Sequence, residues 1–201
     1  MNNRGTAALV ALGALALLVA ALGLWGVATH NGLVARNEQV NKAWATVESQ
    51  YQRRLDLVPN LVETVKGSAK FEKETLTAVV DARARVGSMT IDKRVLEDPA
   101  SFQKFEQAQS GLSSALSRLM VVVEKYPELR STESFRDLSV QLEGTENRIQ
   151  VARKDFNESA QGYNTAIKVF PGSLIAGFGG FKERPYFSAA PEAAKAPSVK
   201  F

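Results

Sequence analysis

The most prominent pattern in the chain is an apolar run near its start. Residues 7–28 form 22 consecutive positions without a charge, built from alanine, leucine, valine, glycine and Trp25. As a helix this run spans roughly 33 Å, enough to cross a hydrocarbon core. It has no polar face, whereas a long helix of a soluble domain normally has one. The pattern predicts a transmembrane helix over residues 7–28, with Trp25 as an interfacial anchor.

A cleaved signal peptide is the alternative interpretation of this run. Gly26-Val27-Ala28 offers small residues at cleavage positions, but the run exceeds the usual ~7–15 apolar residues of such a peptide. A retained anchor is therefore favoured. Flanking charges do not determine its orientation, because Arg4 precedes the run while Arg36 and Lys42 follow it.

Behind this run, apolar side chains recur every three or four positions almost to residue 170, which predicts helix throughout. Four stripes can be separated. The first comprises Val40, Trp44, Val47, Tyr51, Leu55 and Val58, and the second Leu61, Val65, Ala69, Leu76, Val79 and Val86. The third comprises Phe102, Phe105, Leu112, Leu116, Leu119, Val123 and Tyr126. The fourth comprises Phe135, Leu138, Leu142, Ile149, Phe156, Tyr163, Ile167 and Phe170, with Thr145, Ala152 and Ala160 between them.

Proline and glycine mark where these helices are expected to end. Pro59 predicts a first corner over residues 57–60. A short polar connection is predicted between Gly87 and Asp98, with Asp98 as N-cap of a helix that begins with proline. Pro127 closes the third stripe. Short corners favour antiparallel neighbours.

The resulting fold class is all-α, with no segment that alternates like a half-buried strand. We predict a short N-terminal tail (1–6), the transmembrane helix (7–28), a long antiparallel four-helix bundle (29–170) and an irregular tail rich in glycine and aromatic residues (171–201).

Composition excludes several kinds of chemistry. The 201 residues include no cysteine, which excludes disulfides, thiolate metal sites and cysteine nucleophiles. The single histidine, His30, excludes histidine-based triads and centres with several histidines. Basic residues outnumber acidic ones by 25 to 21 and form no dense stripe, so we expect no nucleic-acid partner. We also expect no cofactor and no metal.

Several short motifs resemble the LemA family of bacterial membrane proteins. The most distinctive run is Arg53-Arg54-Leu55-Asp56-Leu57-Val58-Pro59-Asn60-Leu61-Val62. Further matching segments are Arg36-Asn37-Glu38-Gln39-Val40, Ala43-Trp44, Glu124-Lys125-Tyr126-Pro127-Glu128-Leu129, Leu142-Glu143-Gly144-Thr145-Glu146-Asn147-Arg148-Ile149, Tyr163-Asn164, Phe170-Pro171, Gly180-Phe181 and Tyr186-Phe187. The resemblance implies one N-terminal membrane helix and a long antiparallel bundle. It supplies no catalytic residues, and it implies a bundle on the cytoplasmic side.

The predicted first corner carries one candidate interaction site. Arg53, Arg54, Asp56 and Asn60 cluster there, where they would form a polar surface at the membrane-distal tip. The structural alternative is that Asp56 and Asn60 cap the second helix while the arginines pair with nearby acids.

The C-terminal tail carries the second candidate site. Phe178, Phe181, Tyr186 and Phe187 lie among glycines that lack the spacing of a phosphate-binding loop. Three interpretations stay open. The aromatic residues pack on the bundle, contact the bilayer with the help of nearby basic residues, or dock on a partner or a second copy.

The charged stretch around Glu143 and Glu146 on the fourth predicted helix is the remaining candidate. Carboxylates three residues apart can frame a metal in a helical bundle, but such sites usually add histidines that are missing here. We therefore expect Glu146, Arg148 and Arg153 to form structural ion pairs.

The prediction for function is a non-enzymatic scaffold, adaptor or interaction platform in the bacterial inner membrane. Residues 7–28 would contact the lipid bilayer, and the other partners would be proteins or a second copy of the chain. The alternatives are an envelope or signalling sensor and a carboxylate-based hydrolase. The hydrolase would need at least two acids at inward positions around a cavity.

Overall fold

The structure, a computed structural model, describes residues 3–67, 71–89 and 93–188. Ala69, the side chain of Arg4 and residues 189–201 of the predicted tail lie outside this description. The helices are α1 (Asn3–Lys66), α2 (Lys73–Gly87), α3 (Pro99–Val123), α4 (Pro127–Arg130), α5 (Glu133–Lys168) and α6 (Gly172–Gly179), with a 3-10 helix over Lys93–Leu96. No residue within the described ranges is in a strand, as the all-α prediction requires.

Helix α1 is 64 residues long and joins two predicted elements. Its N-terminal part is apolar and exposed, and Leu9–Lys66 is the one described helix that is long and apolar enough to cross a membrane. The helix does not end where the apolar run ends. Its C-terminal part carries the first predicted stripe, whose six residues are all buried.

One compact unit combines the chain up to Val40 with Ser159–Glu183. It contains α6, in a stretch for which the sequence predicts irregular structure. Helix α6 begins at Gly172, where an added Cβ would lie 1.9 Å from the carbonyl oxygen of Ala166. It is capped by Gly180, whose φ of 68° suits glycine. The prediction of irregular structure is therefore wrong for residues 172–179. Gly172 allows a close approach to the preceding helix and Gly180 forms a left-handed cap, so neither glycine breaks α6.

The other compact unit comprises Asn41–Glu158 and the chain from Arg184 onward. Its core is lined by apolar side chains from α1 through α5. They include Leu55, Val58, Leu61, Val65, Leu76, Val79, Val86, Leu112, Leu119, Val123, Leu129, Phe135 and Leu142. The stripes are therefore confirmed as buried faces where the structure describes them, apart from three positions. Tyr126 and Leu138 are only partly buried, and Phe170, in the first unit, is 70% exposed.

The first corner predicted at residues 57–60 is wrong, because α1 continues through Pro59. Proline has no N–H, so the carbonyl of Leu55, four residues earlier, loses its helical donor. In the structure Arg83 Nε on α2 donates to this carbonyl at 3.3 Å. A donor from another helix thus replaces the missing one, and the apolar residues on both sides of the proline stay buried.

The connection between α2 and α3 agrees better with the sequence-based prediction. Asp98 is the N-cap of α3, and its carboxylate accepts hydrogen bonds from the N–H groups of Ala100 and Ser101 at 3.2 and 3.0 Å. The connection before it is not purely polar. It contains the 3-10 helix, in which Val95 and Leu96 are buried.

Candidate functional site

Arg54 is the most deeply buried charged side chain among the described residues, with 2% of its surface exposed. Its Nη1 donates to Glu146 Oε2 at 2.8 Å and to Ser113 Oγ at 2.7 Å. Its Nη2 donates to the carbonyl oxygen and to the side-chain oxygen of Gln109. The guanidinium also lies 5.0 Å from the ring centre of Tyr51. One side chain thus links α1 to α3 and α5 inside the second unit.

The environment of this network is of low polarity. Burial raises the pKa of the Tyr51 phenol above its ordinary value, and the positive charges of Arg153 and Arg54 counteract only part of that effect. Arg54 Nε and Gln109 Nε2 are buried and have no hydrogen-bond partner in the described part of the chain. The network is therefore a bridge between helices, and several of its polar atoms carry a desolvation cost.

The four residues predicted as a corner site are not brought together. Arg54 points into the core, whereas Arg53, Asp56 and Asn60 are exposed on the C-terminal part of α1, several residues before its end. Asp56 accepts a hydrogen bond from Gln52 on the same helix, so it does not cap a second helix. The cluster arose in the sequence only because a helix end was expected at Pro59. An interaction role for the three exposed residues stays a prediction.

Four aromatic residues form a second constellation in the same unit, which we call the aromatic cradle: Trp44, Phe102, Phe105 and Phe156. Trp44 contacts the other three, with ring centroids 5.5 to 6.0 Å apart. The cradle draws on three helices. The contacts also give the helix directions. From Trp44 to Arg54 on α1, the contacting residue on α3 moves forward, from Phe102 to Gln109, so α3 runs parallel to α1. On α5 it moves backward, from Phe156 to Glu146, so α5 runs antiparallel to α1.

Phe187 fills the aromatic cradle. The residue is 6% exposed, and its ring lies 4.9 Å from Phe102, 5.5 Å from Phe156 and 6.1 Å from Trp44, measured between ring centroids. The guanidinium of Arg153 lies 4.5 Å from the centre of the Phe187 ring.

Side chains also bind the backbone around this ring. Asn157 Nδ2 donates to the Phe187 carbonyl at 3.0 Å, and the Phe187 N–H donates to Asn157 Oδ1 at 2.9 Å. The Ser188 N–H and hydroxyl donate to the two carboxylate oxygens of Glu106 at 3.0 and 3.1 Å. Arg153 Nη2 donates to the Ser188 carbonyl at 2.9 Å and pairs with Glu106 at 3.3 Å. All four main-chain polar groups of Phe187-Ser188 are thus bound by side chains.

The other predicted tail residues behave differently from Phe187. Phe178 is 93% exposed and Tyr186 is 46% exposed. Phe181, in the first unit, is half-buried and its ring contacts His30, with centroids 5.4 Å apart. Packing on the helices therefore accounts for Phe187, while contact with the bilayer or a partner stays a prediction for Phe178 and Tyr186.

The charged stretch of α5 forms ion pairs between helices. Glu146 pairs with Arg54, and Arg153 pairs with Glu106 on α3. Within the described ranges, no group of three or more His, Asp or Glu residues is placed to hold a metal ion.

An open groove of about 310 Å³ lies beside this stretch, lined by Thr46, Gln50, Asn147, Arg148, Val151, Ala152 and Asp155. Asp155 is the one carboxylate among these lining residues, whereas the hydrolase alternative needs a pair.

Sequence reasoning missed the residues that bind the Phe187 segment. The apolar pattern places Trp44, Phe102 and Phe156 in core stripes, and all three are buried. Their contact with one another depends on how the helices are aligned along their axes, which the pattern does not give. The available signal was the concentration of aromatic residues in three stripes. Glu106 and Asn157 gave no signal, because single polar residues on a helix surface are common.

The sequence is similar to known bacterial proteins over most of its length. The LemA family model matches residues 43–201. Magnetosome protein MamQ of Magnetospirillum gryphiswaldense is 30% identical over 179 residues, which cover 81% of this chain and 65% of MamQ. Protein LemA of Metamycoplasma hominis is 21% identical over 150 residues, which cover 75% of this chain and 64% of that protein. The chain thus spans slightly under two thirds of the length of these relatives. It belongs to the LemA family.

Proposed function

We propose that the protein is a membrane-anchored, non-enzymatic platform that acts by binding other proteins. In this proposal the N-terminal part of α1 crosses the bacterial inner membrane once, and the unit of Asn41–Glu158 presents the binding surfaces.

The observation that carries the proposal is the composition of α1. Every residue from Asn3 to Lys66 is helical, so the apolar segment and the core stripe belong to one helix. The apolar part is long and strongly hydrophobic, and none of it is buried against the protein. A hydrophobic surface of this length is stable in a bilayer and unfavourable in water.

The polar interior of the folded unit supports binding rather than catalysis. Among the described residues the buried polar side chains are Arg54, Thr75, Gln109, Thr145 and Asn164, none of which is a carboxylate. Arg54 and Gln109 bond to each other, and Thr145 bonds to the backbone of its own helix. These contacts stabilise helix packing.

Photo-crosslinking in cells tests the binding role. A photoreactive amino acid is placed at Val121 on α3 or at Val140 on α5, both apolar and 68% exposed. Discrete adducts with other proteins are the expected result. The matched control is the same probe at Val10, 71% exposed in the apolar segment, where lipid adducts should dominate. If Val121 and Val140 give no protein adduct while Val10 labels lipid, the platform proposal fails and the anchor alone survives.

Protease accessibility of a C-terminal tag tests the topology. The family resemblance implies a cytoplasmic unit, so the tag should be cleaved only after the inner membrane is lysed. Cleavage in intact spheroplasts would place the unit on the outer side and direct the search for partners to the envelope. Recovery of the protein in the soluble fraction would contradict the anchor.

A further inference from the structure

The segment around Phe187 is held in the way a protein holds a bound peptide. Residues 181–188 are neither helix nor strand, and the main chain of Phe187-Ser188 is bound by side chains of the neighbouring helices. Asn157 binds both the N–H and the carbonyl of one residue. Such a paired amide contact recognises a peptide backbone whatever its side chain.

Selectivity comes from the two side chains of the segment. The Phe187 ring is enclosed by the aromatic cradle and covered by Arg153. The Ser188 hydroxyl bonds to Glu106. The site therefore selects an aromatic residue followed by a small hydroxyl residue.

The contacts of Phe187-Ser188 all come from one site, so release of this segment requires only that site to open. Phe187 is its one fully buried residue, with Tyr186 and Ser188 exposed on either side. Upstream of this site, Arg184 Nη1 donates to the Leu96 carbonyl at 3.5 Å, Glu183 pairs with Lys168 at 2.7 Å and Phe181 contacts His30. Elements with few buried contacts open locally without global unfolding.

We propose that the aromatic cradle, with Glu106, Arg153 and Asn157, is a peptide-binding site for a Phe-Ser segment. Phe187-Ser188 is its resident, displaceable ligand, and the occupant in trans is the same segment of a second copy of this chain.

A second copy is the chosen occupant because its segment has the sequence whose fit the structure shows. Exchange between copies preserves every contact of the segment, which makes it a low-cost route to association. Anchoring in one membrane raises the effective concentration of copies for each other. This inference rests on the proposed binding function and names one site and one partner for it.

Mixed copies with engineered cysteines test the exchange, since the native chain has no cysteine. One full-length copy carries Ser188→Cys. The other carries Glu106→Cys with Phe187→Ala, which vacates its own cradle. After co-expression in one membrane and treatment with a short thiol crosslinker, a crosslinked dimer of two differently tagged chains is expected.

Two controls interpret this experiment. Adding Phe187→Ala to the Ser188→Cys copy should abolish the dimer, because the ring that fills the cradle is then gone. A single copy with both cysteines should crosslink within itself. If it does so while the mixed copies never form the dimer, the contact occurs only in cis and the proposal is overturned.

A peptide of residues 183–190, Glu-Arg-Pro-Tyr-Phe-Ser-Ala-Ala, tests the site directly. It is added to the full-length Phe187→Ala chain in a Trp25→Phe background, so that Trp44 in the cradle reports binding by fluorescence. Saturable binding is expected. A peptide with alanine for Phe187 should not bind, and N-methylation of Phe187 should weaken binding about tenfold by removing the donor to Asn157.

Should Phe187→Ala reduce the helicity of the chain, the peptide is instead added to the double-cysteine chain with native Phe187. Excess peptide should then suppress the internal crosslink. No suppression, or no binding to a well-folded Phe187→Ala chain, makes Phe187 a core residue and refutes the site. Photo-crosslinked adducts at Val121 or Val140 would still stand in that case, so failure here is distinguishable from failure of the platform.

Discussion

Arg54 shows how one buried charge organises the helices around it. Its guanidinium has directional donors, and it bonds to Glu146 on α5 and to Ser113 and Gln109 on α3. Glu146 keeps 40% of its side chain exposed, so one partner remains hydrated while the other is desolvated. A buried charge that loses such partners destabilises a protein strongly, although an intact pair contributes little.

Replacing Arg54 by methionine should lower the free energy of unfolding by about 2–4 kcal/mol, because Gln109 and Ser113 keep buried polar atoms without a donor. The matched control is Arg53→Met, the same change one residue earlier on the exposed face, expected within about 0.5 kcal/mol of the native protein. Denaturant unfolding followed by Trp44 fluorescence in a Trp25→Phe background measures both. Equal effects of the two substitutions would show that Arg54 contributes no more than a surface arginine.

Asp98 leads to a prediction of how the stability of the fold depends on pH. Hydrogen bonds from the Ser101 hydroxyl and from the N–H groups of Ala100 and Ser101 hold the pKa of this carboxyl below its ordinary 3.8. A lowered pKa in the folded state means stabilisation that is present above pH 3.8 and lost as pH falls through the folded pKa. Asp98→Ala should therefore lower Tm at neutral pH by about 2–4 °C.

The difference between Asp98→Ala and the native chain should shrink towards zero as pH falls through the lowered pKa of the folded state, because the carboxylate is then protonated in both states. Asp81→Ala, on the exposed face of α2, is the matched control for loss of a surface carboxylate. A Tm difference for Asp98→Ala that stays constant from neutral to acidic pH would argue against the cap.

At the scale of the element, α1 depends on a neighbour to pass through Pro59. The Leu55 carbonyl accepts from Arg83 Nε in place of the N–H that proline lacks. The packing of α2 thus supplies the donor that the Leu55 carbonyl would otherwise lack, so the helix can continue through an internal proline.

A double-mutant cycle tests this compensation. Arg83→Met should cost about 1 kcal/mol in the native chain, because it leaves the Leu55 carbonyl without its donor. In a Pro59→Ala background the same substitution should cost almost nothing, since the introduced alanine restores the helical N–H. Arg85→Met, also exposed on α2, should show no coupling to Pro59. A coupling energy indistinguishable from zero would mean that the Leu55 carbonyl is satisfied in another way.

At the scale of the whole molecule, the decisive property is an exposed apolar segment on the same helix as a buried core stripe. Leu15→Arg with Leu18→Arg should remove most of the chain from membranes after carbonate extraction, because each arginine costs about 3 kcal/mol near the centre of a span. Val140→Arg, at an exposed valine of α5, should leave membrane retention unchanged. Retention of the double arginine variant would show that another part of the chain holds the membrane.

Much of the fold could be predicted from the sequence because it depends on local periodicity. The stripes through Trp44, Leu112 and Phe156 mark buried faces, since a helix repeats every 3.6 residues wherever it lies. The Asp98 cap was predictable for a similar reason, because its partners lie two and three residues away. Pro59 misled the prediction because its compensating donor, Arg83, lies 28 residues from Leu55.

The candidate site was less predictable, and the reason is distance along the chain. Arg54 looked like a surface residue at a corner, and its partner Glu146 is 92 residues away. Phe187 was one aromatic residue among several in the tail, and nothing local separates it from the fully exposed Phe178.

The sequence by itself determined the apolar segment, the all-helical class, the buried faces of the helices and the cap of α3. Each of these follows from residues within one or two helical turns. The tertiary structure alone decided that α1 passes through Pro59, that Arg54 turns inward and that Phe187-Ser188 occupies the aromatic cradle. Those outcomes require side chains from separate helices to come into contact. Which side chains do so is set by how the helices are aligned along one another, and local sequence does not determine that alignment.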